Sequence, residues 1–486
     1  MLCVSLIPHS LTELKSQLRK AARLSFLIEL RADRLPITHP NRLPVLKNRP
    51  IIFTCRPRWA GGFFKGSETA RIQLLQSAID SNRFDYVDVE YGIFKRLKRP
   101  VSGKTRIILS DHNFKKTPNN LNQIYQKLSR LKPDVIKIVT MARDISDNLK
   151  IFKLHKYTNR GIPLIAFCMG EDGLISRVLY KKFGFWIMYA PLEFKDATGP
   201  GQIPYFDLKH LYRADRLNKQ TKIYGLIGQP VAHSLSPLFF NHIFKQKKIN
   251  AVYLPFRFKN LKSFKLFNDF LDVRGYSVTA PYKTSIMRYL NHLTPLARRI
   301  GAVNTIYPDK IGVYRKGPGP TNLIGTNTDA WGAWQALEQA FRSYQTGYDY
   351  RDKTALIIGA GGAARAIAFW LRLSGMRLIF VNRHYLKAKK NALDFKAEAI
   401  KFSSLPGYKE PVDLIINATP LGTWPRTNIT PLPKKFFKPG MIVFDAIYNP
   451  PETRFLREAK EKGCLTVSGL GMFLYQADAQ LKLFLP

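Results

Sequence analysis

The sequence predicts an α/β protein whose N-terminal part is a (β/α)8 barrel and whose C-terminal part contains a second parallel sheet. Eight apolar, β-branched runs alternate with mostly helical segments before residue 216. A glycine-rich turn joins a strand to a helix around Gly361. The 486 residues exceed what one hydrophobic core holds. We therefore predict domains at 1–216, at 221–331 with a C-terminal helix at 470–486, and at 332–469.

The composition is typical of a folded protein in a reducing compartment. Hydrophobic residues make up 45% of the chain, which argues against disorder. The four cysteines lie far apart without a CxxC spacing, so we expect no disulfide framework and no metal site. The N-terminus lacks a signal-peptide pattern, and no apolar run reaches the ~18 residues of a membrane span. The predicted location is cytoplasmic.

The charge is strongly positive, with 77 Lys and Arg against 34 Asp and Glu, a net +43. Such a balance attracts polyanions. The basic residues are scattered, however, and form neither a tail nor a recognised nucleic-acid-binding motif. We expect anionic small-molecule substrates as partners, and neither nucleic acid nor membrane. A basic nucleic-acid-binding module with vestigial sites stays open as an alternative.

The eight barrel strands are predicted from apolar runs, and helices from a period of 3.6 residues between them. The predicted helices include Leu11–Leu24, Glu68–Ser81 and Leu121–Leu131. The predicted strands are Leu2–Ile7, Phe26–Leu30, Ile51–Thr54, Tyr86–Val89, Arg106–Leu109, Val135–Val139, Leu164–Cys168 and Phe185–Tyr189.

Chemistry in such a TIM barrel takes place at the C-terminal ends of the strands. Lys137 lies within an apolar run there, where an unpaired charge is costly. In one interpretation its side chain extends to solvent. In the other, Lys137 is an amine nucleophile that forms a Schiff base with a ketone, and His112 transfers protons. Nearby cations and burial would lower the pKa of Lys137. His112 could also be an ordinary hydrogen-bonded turn residue.

Several motifs of this region resemble type I 3-dehydroquinate dehydratase. They are Ile-Glu-Leu-Arg-Ala-Asp, Phe-Thr-Cys-Arg, Ser-Asp-His-Asn-Phe, Val-Ile-Lys-Ile, Met-Gly-Glu-Asp-Gly-Leu-Ile-Ser-Arg and Gly-Pro-Gly-Gln. The resemblance implies a syn elimination of water with Lys137 as the Schiff-base lysine and His112 as the general acid/base. It also implies substrate contacts by Glu29, Arg31, Arg56, Arg177, Thr198 and Gln202. Two positions depart from the family pattern: Ala60 replaces a glutamate, and Thr198 replaces a serine.

The stretch from residue 221 to 331 begins with a short strand, Tyr224–Ile227, and a helix predicted from Leu238. Ser234 and Ser236 could bind a carboxylate, and Ser236 before a proline is also a good helix N-cap. Later motifs place Lys283, Asn304 and Asp329 among turn residues. Lys283 and Asp329 could form a plain salt bridge. Beside a nicotinamide, Lys283 would instead donate a proton to a developing alkoxide, oriented by Asp329.

The third domain contains a Rossmann fingerprint. The strand Lys353–Ile358 leads into Gly-Ala-Gly-Gly-Ala and then a helix that continues to Leu373. The glycines allow a tight turn and bring the helix N-terminus to a pyrophosphate. The second strand, Leu378–Val381, is followed by Asn-Arg where an NAD site would have an acidic residue. Arg383 suits a ribose 2′-phosphate, so we predict NADP; a solvated surface arginine is the alternative.

These motifs, with Asn-Ala-Thr-Pro-Leu-Gly, Phe-Asp-Ala-Ile-Tyr-Asn-Pro and Gly-Leu-Gly-Met-Phe-Leu-Tyr-Gln, resemble shikimate dehydrogenase. The resemblance implies Lys283 and Asp329 as the catalytic pair. It implies substrate contacts by Ser234, Ser236, Thr279, Asn304 and Gln476. It implies cofactor contacts by Gly359, Ala360, Gly361, Gly362, Ala363, Asn382, Arg383, Ala418, Thr419, Tyr448, Gly469 and Met472. His384 stands where the family usually has threonine.

The two resemblances together predict a bifunctional enzyme of the shikimate pathway. The first half would dehydrate 3-dehydroquinate, and the second would reduce the resulting 3-dehydroshikimate with NADPH. A quinate or mixed quinate/shikimate dehydrogenase in the second half is the enzymatic alternative. The connector is predicted at Leu211–Thr221, and the sequence gives no oligomeric state.

Overall fold

The computed structural model describes residues 1–485 apart from 38, 47, 99–102, 160, 232–233, 310–321, 345–348 and 409. Pro486, the last residue of the predicted C-terminal helix, lies outside the described residues. The chain divides into two compact units. The first comprises Met1–Ile223 and Pro237–Leu271, and the second comprises Tyr224–Ser236 and Asp272–Pro486. The functional domain limits predicted above are a different division of the chain, and they stay a prediction.

Eight parallel strands form a nearly closed barrel in the first unit, as predicted. They follow the order β7-β6-β5-β4-β3-β2-β1-β8, and the last strand pairs with the first. The strands are β1 Leu2–Leu6, β2 Leu27–Arg31, β3 Ile51–Thr54, β4 Tyr86–Glu90, β5 Arg106–Asn113, β6 Val135–Met141, β7 Leu164–Met169 and β8 Met188–Pro191. The helices are α1 Leu11–Leu24, α2 Glu68–Asp80, α3 Leu121–Ser129, α4 Asp147–Phe152 and α5 Leu174–Val178.

Helix α1 shows how the sequence specifies these elements. Ser10 caps its N-terminus by accepting a hydrogen bond from Glu13 N, and Leu14, Leu18 and Ala21 form its buried stripe. Between β7 and β8 the helical elements are short, consistent with a barrel built from few residues.

Two barrel strands differ from their predicted bounds. β8 begins at Met188 instead of Phe185. Phe185 and Ile187 are buried although they precede the strand, so the apolar run is longer than the strand itself. β5 continues to Asn113, four residues past the predicted end. The extra residues are polar, and the apolar pattern therefore ended too early to mark them. His112 is thus a strand residue rather than a turn residue.

The next elements along the chain are β9 Lys222–Gly228, α6 Ser236–Gln246, β10 Ala251–Arg257 and α7 Phe264–Leu271. Helix α6 begins at Ser236, two residues before the predicted Leu238. Ser234 Oγ accepts a hydrogen bond from Ser236 N, so Ser234 rather than Ser236 contacts the first backbone amide. A short π-helix, Asp207–Leu211, ends at the first residue of the predicted connector, and Tyr212 and Leu217 within the connector are buried.

In the second unit the strands β9, β11, β13, β14 and β12 lie side by side in that order. The new elements of this region are β11 Val273–Val278, β12 His292–Leu293, α8 Pro295–Ile300, β13 Thr305–Pro308, β14 Leu323–Thr326 and α9 Asp329–Tyr344.

The third sheet has the strand order of a Rossmann fold, β17-β16-β15-β18-β19-β20, and all its neighbours are parallel. Its elements are β15 Thr354–Ile358, α10 Gly362–Leu373, β16 Arg377–Asn382, α11 Tyr385–Phe395, β17 Glu398–Lys401, β18 Leu414–Asn417, β19 Ile442–Asp445, α12 Arg454–Lys460, β20 Leu465–Ser468 and α13 Gly469–Phe484.

Alternate strand residues of this sheet fill two separate cores. Ile357, Phe380 and Phe444 pack on one face, and Leu356 and Val443 pack on the other. A parallel sheet covered on both faces explains the continuous apolar runs in the sequence. Among the described residues, every helix is too short or too polar to serve as a transmembrane segment.

Candidate active sites

The barrel site is centred on Lys137, which lies in β6 and is buried. Its Nζ lies 2.8 Å from Asp88 Oδ2 and 4.0 Å from the centre of the Tyr189 ring. The side chain therefore does not extend to solvent, which removes the first of the two interpretations. The sequence predicted cations around Lys137, but its amine is also paired with a carboxylate, that of Asp88.

Asp88 is fully buried and was missed by the sequence reasoning. It also receives hydrogen bonds from Ser110 Oγ at 2.7 Å and pairs with Arg56 Nη2 at 2.8 Å. Burial favours the neutral acid, but Arg56 and Lys137 hold the pKa of Asp88 well below its ordinary value. The signal was available in Tyr-Val-Asp-Val-Glu, where two carboxylates alternate with valines in a buried strand.

Arg56 follows β3 and binds two carboxylates. Besides Asp88, its Nη1 lies 2.7 Å from Glu90 Oε1, and Glu90 also pairs with Arg71 at 2.6 Å. Burial disfavours the charge of Arg56, yet the two carboxylates raise its pKa above the ordinary value. Lys137, Arg56 and Arg71 thus alternate with Asp88 and Glu90 in one buried network.

His112 lies on the same face of the sheet as Lys137. In the β5–β6 ladder Ser110 pairs with Lys137, and His112 is two residues further along its strand. His112 is partly buried, its buried Nδ1 has no hydrogen-bond partner among the described residues, and its ring stacks on Phe114. Burial first, then Arg56 and Lys137, lower the pKa of His112 well below 6.5. The ring is therefore neutral near pH 7 and can accept a proton.

Arg177 is the clearest anion-binding group of the barrel. Its guanidinium is 1% exposed, and its Nε and Nη1 have no partner in the described part of the chain. Only Nη2 is bonded, to Pro200 O at 3.1 Å. Burial lowers the pKa of Arg177 to about 10, so it is still charged at neutral pH. Unpaired buried donors are costly, and an anion would satisfy them.

Thr198 and Gln202 lie in a loop that packs against the end of β7. Gln202 Oε1 accepts hydrogen bonds from Thr198 N at 2.6 Å and Thr198 Oγ1 at 3.2 Å. Gly201 has φ +68°, and a Cβ there would lie 2.2 Å from Gly170 O. The glycine is thus required for the loop to approach Gly170.

Glu29 and Arg31 both end β2, but their side chains have protein partners. Glu29 accepts hydrogen bonds from Ser5 at 2.5 Å and Thr54 at 3.0 Å. Arg31 forms a two-pronged ion pair with Asp33 at 2.8 and 2.9 Å. A substrate would therefore have to share these groups with Asp33 and the two hydroxyls.

The residue at the departure from the family pattern, Ala60, is buried. The next residue, Gly61, has φ +73°, and a Cβ there would lie 2.7 Å from the Phe114 ring. This loop thus packs against the aromatic ring that stacks on His112. No side chain of the loop supplies the unpaired His112 Nδ1 with a partner.

The second site lies in a cavity of about 860 Å³ within the second unit. This volume suits a small substrate together with part of a cofactor. It is lined by sixteen of the predicted residues: Ser234, Ser236, Thr279, Lys283, Asn304, Asp329, Ala360, Gly361, Gly362, Ala363, Ala418, Thr419, Tyr448, Gly469, Met472 and Gln476.

Lys283 and Asp329 form the central pair of this cavity. Lys283 Nζ lies 2.5 Å from Asp329 Oδ2, and both side chains are largely buried. Asn304 Nδ2 donates to Asp329 Oδ1 at 2.8 Å and to Gln476 Oε1 at 3.2 Å. Asn327 caps helix α9 by accepting from Asp329 N. The carboxylate is thus held from two sides and fixes the position of the ammonium.

Ser234 and Ser236 form a small group of hydroxyls on the cavity wall. Ser234 Oγ donates to Ser236 Oγ at 3.1 Å, and Tyr448 OH lies 3.5 Å from Ser234 Oγ. Thr279 lines the same cavity, and its Cγ2 packs on Gly228, where a Cβ would lie 2.3 Å away. Hydroxyls in this arrangement can donate to a carboxylate while they cap α6.

The glycine turn after β15 fits a dinucleotide. Gly359 has φ +122°, and a Cβ there would lie 2.8 Å from Ala418 O. Nothing lies within 4 Å of a Cβ on Gly361, and no side chain caps α10 at that residue. The turn therefore exposes backbone amides at a helix N-terminus, as pyrophosphate binding requires.

Asn382 and Arg383 end β16 but do not line the cavity. Arg383 is exposed, and Asn382 Nδ2 donates to His384 O at 3.2 Å. Sequence reasoning missed Lys387 and Lys390, which do line the cavity from α11. Their spacing of three residues on one helix face was the available signal.

Arg365, another residue missed from the sequence, closes the far side of the cavity. It donates to Ile300 O at 2.6 Å, to Asn391 Oδ1 at 2.7 Å and to Asp394 Oδ2 at 2.7 Å. The guanidinium thus connects α8, α10 and α11. In the described ranges, no group of three or more His, Cys, Asp or Glu side chains could hold a metal ion.

Family models match the chain in three consecutive parts. Type I 3-dehydroquinase matches residues 2–219, the shikimate dehydrogenase substrate binding domain matches 226–306, and shikimate/quinate 5-dehydrogenase matches 340–428. A solved structure of dehydroquinate dehydratase and shikimate dehydrogenase from S. pombe is 25% identical, with a TM-score of 0.41, over 100% of this chain and 95% of that one.

Two curated relatives are more similar in sequence. A shikimate dehydrogenase (NADP(+)) from Methanocaldococcus jannaschii is 40% identical and covers 55% of this chain and 93% of the relative. The chloroplastic bifunctional 3-dehydroquinate dehydratase/shikimate dehydrogenase of Arabidopsis thaliana is 34% identical. That alignment covers 100% of this chain and 82% of the relative. The chain belongs to the family of bifunctional 3-dehydroquinate dehydratases/shikimate dehydrogenases.

Proposed function

We propose that the chain catalyses two consecutive reactions, with the residue roles given below. The barrel dehydrates 3-dehydroquinate to 3-dehydroshikimate, and the second site reduces 3-dehydroshikimate to shikimate with NADPH. The observation that carries this proposal is that both lysines, Lys137 and Lys283, are held by buried carboxylates within the predicted sites. The product of the first reaction is the substrate of the second.

In the barrel, the Lys137 ammonium gives up a proton, and the neutral amine attacks the substrate ketone. The ketone oxygen takes up this proton and a second one from the nitrogen and leaves as water, which gives an iminium Schiff base. The resulting iminium withdraws electrons and acidifies the adjacent carbon. Asp88 is a counter-ion for the positive charge both before and after this step, because the ammonium and the iminium carry the same charge. This explains why a carboxylate belongs beside the nucleophile.

His112 then removes the proton from the acidified carbon and returns it to the departing hydroxyl, which leaves as water. A neutral imidazole is required for the first of these transfers, and the lowered pKa of His112 provides it. Hydrolysis of the Schiff base by a second water molecule releases 3-dehydroshikimate and restores Lys137. Arg177 binds the substrate carboxylate with its unpaired Nε and Nη1. Thr198 and Gln202 close the site over the substrate, and Glu29, Arg31 and Arg56 contact its other polar groups.

In the second site, Ser234 and Ser236 bind the carboxylate of 3-dehydroshikimate. Thr279, Asn304 and Gln476 bind its other oxygens. Lys283 protonates the oxygen on which negative charge develops, and Asp329 orients the ammonium. Asn304 donates hydrogen bonds both to Asp329 and to Gln476, and it thus connects the Lys283–Asp329 pair to a proposed substrate-binding residue.

The turn Gly359–Ala363 and the loops at Ala418–Thr419, Tyr448, Gly469 and Met472 would hold the cofactor, which in its reduced form, NADPH, would supply the hydride. Asn382 and Arg383 bind the phosphate of its adenosine part. Their absence from the cavity wall agrees with a role at its outer end, where Lys387 and Lys390 add positive charge.

A cytoplasmic location, and the absence of nucleic-acid and membrane partners, remain part of this proposal. The Arabidopsis relative is chloroplastic by name. The positive charge of +43 supports the attraction of anionic substrates and cofactor. Retention on RNA at physiological salt would contradict the nucleic-acid part of the proposal.

A coupled assay tests the function as a whole. The purified chain is given 3-dehydroquinate and NADPH, and the absorbance of the enone and of the cofactor are followed together. We expect a transient rise of the enone, then NADPH oxidation and accumulation of shikimate. Quinate formed faster than shikimate in this assay would favour the quinate-type alternative.

Replacing Arg177 by lysine tests the carboxylate site of the barrel. Lysine keeps the charge but loses the planar pair of donors. Charged hydrogen bonds contribute about 1.5–3 kcal/mol each, so kcat/KM for 3-dehydroquinate should fall by about 10- to 100-fold. NADPH-dependent reduction should not change. An unaltered KM for 3-dehydroquinate would mean that Arg177 does not bind the substrate.

Replacing Arg383 by alanine tests the cofactor preference. The KM for NADPH should rise by about tenfold, while the KM for NADH stays the same, because only NADPH carries the extra phosphate. Lys389→Ala is the matched control, since it removes the same charge from an exposed residue of α11 that does not line the cavity. Equal effects of the two substitutions, or equal effects on the two cofactors, would refute a specific phosphate contact.

A further inference from the structure

A buried hydrogen-bond network lies beneath the cavity of the second unit, where β18 and β19 end. Its centre is Asp445, the last residue of β19, which pairs in register with Asn417, the last residue of β18. Asp445, Asn417 and Thr453 are each 0% exposed. The network therefore belongs to the interior of the domain and does not touch solvent.

The carboxylate of Asp445 accepts three hydrogen bonds. Oδ1 accepts from Asn417 Nδ2 and from Ile447 N, both at 3.0 Å, and Oδ2 accepts from Thr453 Oγ1 at 2.6 Å. All three donors are neutral. Burial raises the pKa of Asp445 to about 6, and the three hydrogen bonds only partly oppose this effect.

Each partner of Asp445 controls a different segment of chain. Asn417 Oδ1 accepts from Thr419 N at 3.0 Å and Thr419 Oγ1 at 2.6 Å, and its Nδ2 also donates to Leu421 O. Asn417 thereby shapes the loop that contains Ala418 and Thr419. Thr453 caps helix α12 by accepting from Leu456 N.

The third partner, Ile447, belongs to the loop Ala446–Tyr448, which lines the cavity. This loop is also fixed from its other side, since a Cβ on Gly469 would lie 2.5 Å from Ala446 C. The position of Tyr448 relative to Thr419 therefore depends on the hydrogen bonds that Asp445 receives from Asn417 and Ile447.

We propose that Asp445 is a positioning residue of the reductase, which sets the spacing of the two loops that hold the nicotinamide. This inference rests on the proposed assignment of Thr419 and Tyr448 to the nicotinamide. Only a carboxylate accepts from all three donors at once. An asparagine at 445 would turn an NH2 group toward Thr453 Oγ1 and leave the threonine hydroxyl without its acceptor.

The test is steady-state kinetics of Asp445→Asn in the full-length chain. We expect the KM for NADPH to rise by about tenfold. This factor corresponds to about 1.4 kcal/mol, the contribution of one buried hydrogen bond. The KM for 3-dehydroshikimate and the dehydratase kcat/KM should stay within about twofold. A merely structural role would instead lower the melting temperature and the active fraction without separating the two KM values, and that result would overturn the proposal.

Two further variants make the experiment decisive. Asn417→Asp places two carboxylates side by side and should raise the KM for NADPH more than Asp445→Asn does. The double variant Asn417→Asp with Asp445→Asn restores an acid–amide pair, so its KM for NADPH should be lower than that of Asn417→Asp alone. Asp413→Asn is the matched control, because Asp413 accepts from Thr354 N at the opposite, N-terminal ends of strands in the same sheet. A double variant no better than Asn417→Asp would contradict the assigned contact.

Tyr448→Ala separates this inference from the site assignment on which it rests. If Tyr448→Ala leaves the KM for NADPH unchanged, the assignment of this loop to the nicotinamide is wrong, and the inference falls with it. If Tyr448→Ala raises that KM while Asp445→Asn does not, the assignment stands and the positioning role of Asp445 is wrong.

Discussion

Lys137→Ala should abolish the dehydration of 3-dehydroquinate, with a fall in kcat on the order of 10⁴-fold or more. The reason is that the other basic side chains described at this site cannot replace the amine: Arg56 and Arg177 are guanidiniums, and His112 cannot form an iminium. Reduction of 3-dehydroshikimate by NADPH should continue. The measurement is enone formation from 3-dehydroquinate and, separately, NADPH oxidation with 3-dehydroshikimate.

The same substitution leaves Asp88 with one cation fewer, so its effect on stability must be separated from its effect on chemistry. Lys137→Arg keeps a positive charge beside Asp88 but has no primary amine, and it provides the control. Borohydride added during turnover should trap a covalent adduct on Lys137 of the unaltered protein and none in either variant. An unmodified Lys137 peptide after trapping would contradict the Schiff-base mechanism.

Lys283→Ala should lower kcat for NADPH-dependent reduction by about 10²- to 10⁴-fold, the usual contribution of a general acid. Dehydration in the barrel should proceed at its normal rate, so that the enone accumulates. The KM for NADPH should change little, because the predicted cofactor contacts are made by other residues. The assay is the same pair of absorbance measurements.

Asp329→Asn is the companion of Lys283→Ala. Asparagine keeps the shape and can still accept from Asn304, but it no longer balances the charge of Lys283. We expect a smaller loss of reduction than for Lys283→Ala, and a double variant no worse than Lys283→Ala alone, since the two residues act as a unit. Loss of both activities in any of these variants would indicate a folding defect instead.

The fold was predictable because its periodicities are simple. Buried parallel strands appear as continuous apolar runs, and the Rossmann turn combines a strand, closely spaced glycines and a helix in a fixed order. The predictions of the barrel, the Rossmann sheet and the two activities are confirmed. Strand ends were predicted wrongly where a strand changes from apolar to polar residues. In β5 the strand was predicted to end at Leu109, but it continues through four polar residues to Asn113.

The individual site residues stay predictions, although most of those in the second unit line one cavity. Sequence reasoning assigned no role to Asp88, Arg365 and Asp445, because each binds other groups of the protein. Asp445 was overlooked although it stands in the motif Phe-Asp-Ala-Ile-Tyr-Asn-Pro. Such partners depend on strand register and on which faces meet, and these are properties of the folded chain. A carboxylate between two valines was nevertheless a usable sign at Asp88.

The close contact between Gly362 and Lys283 constrains how this sequence can change. A Cβ on Gly362 would lie 2.6 Å from Lys283 Cβ and 2.8 Å from its Cδ. An alanine at Gly362 would therefore displace Lys283, so a substitution in the glycine turn should also slow the proton transfer that we propose for Lys283. The motifs that contain Lys283 and Gly362 lie 79 residues apart in the chain (362 − 283), yet a larger residue at 362 requires a compensating change around Lys283. Directed evolution of cofactor specificity should therefore leave Gly362 unaltered.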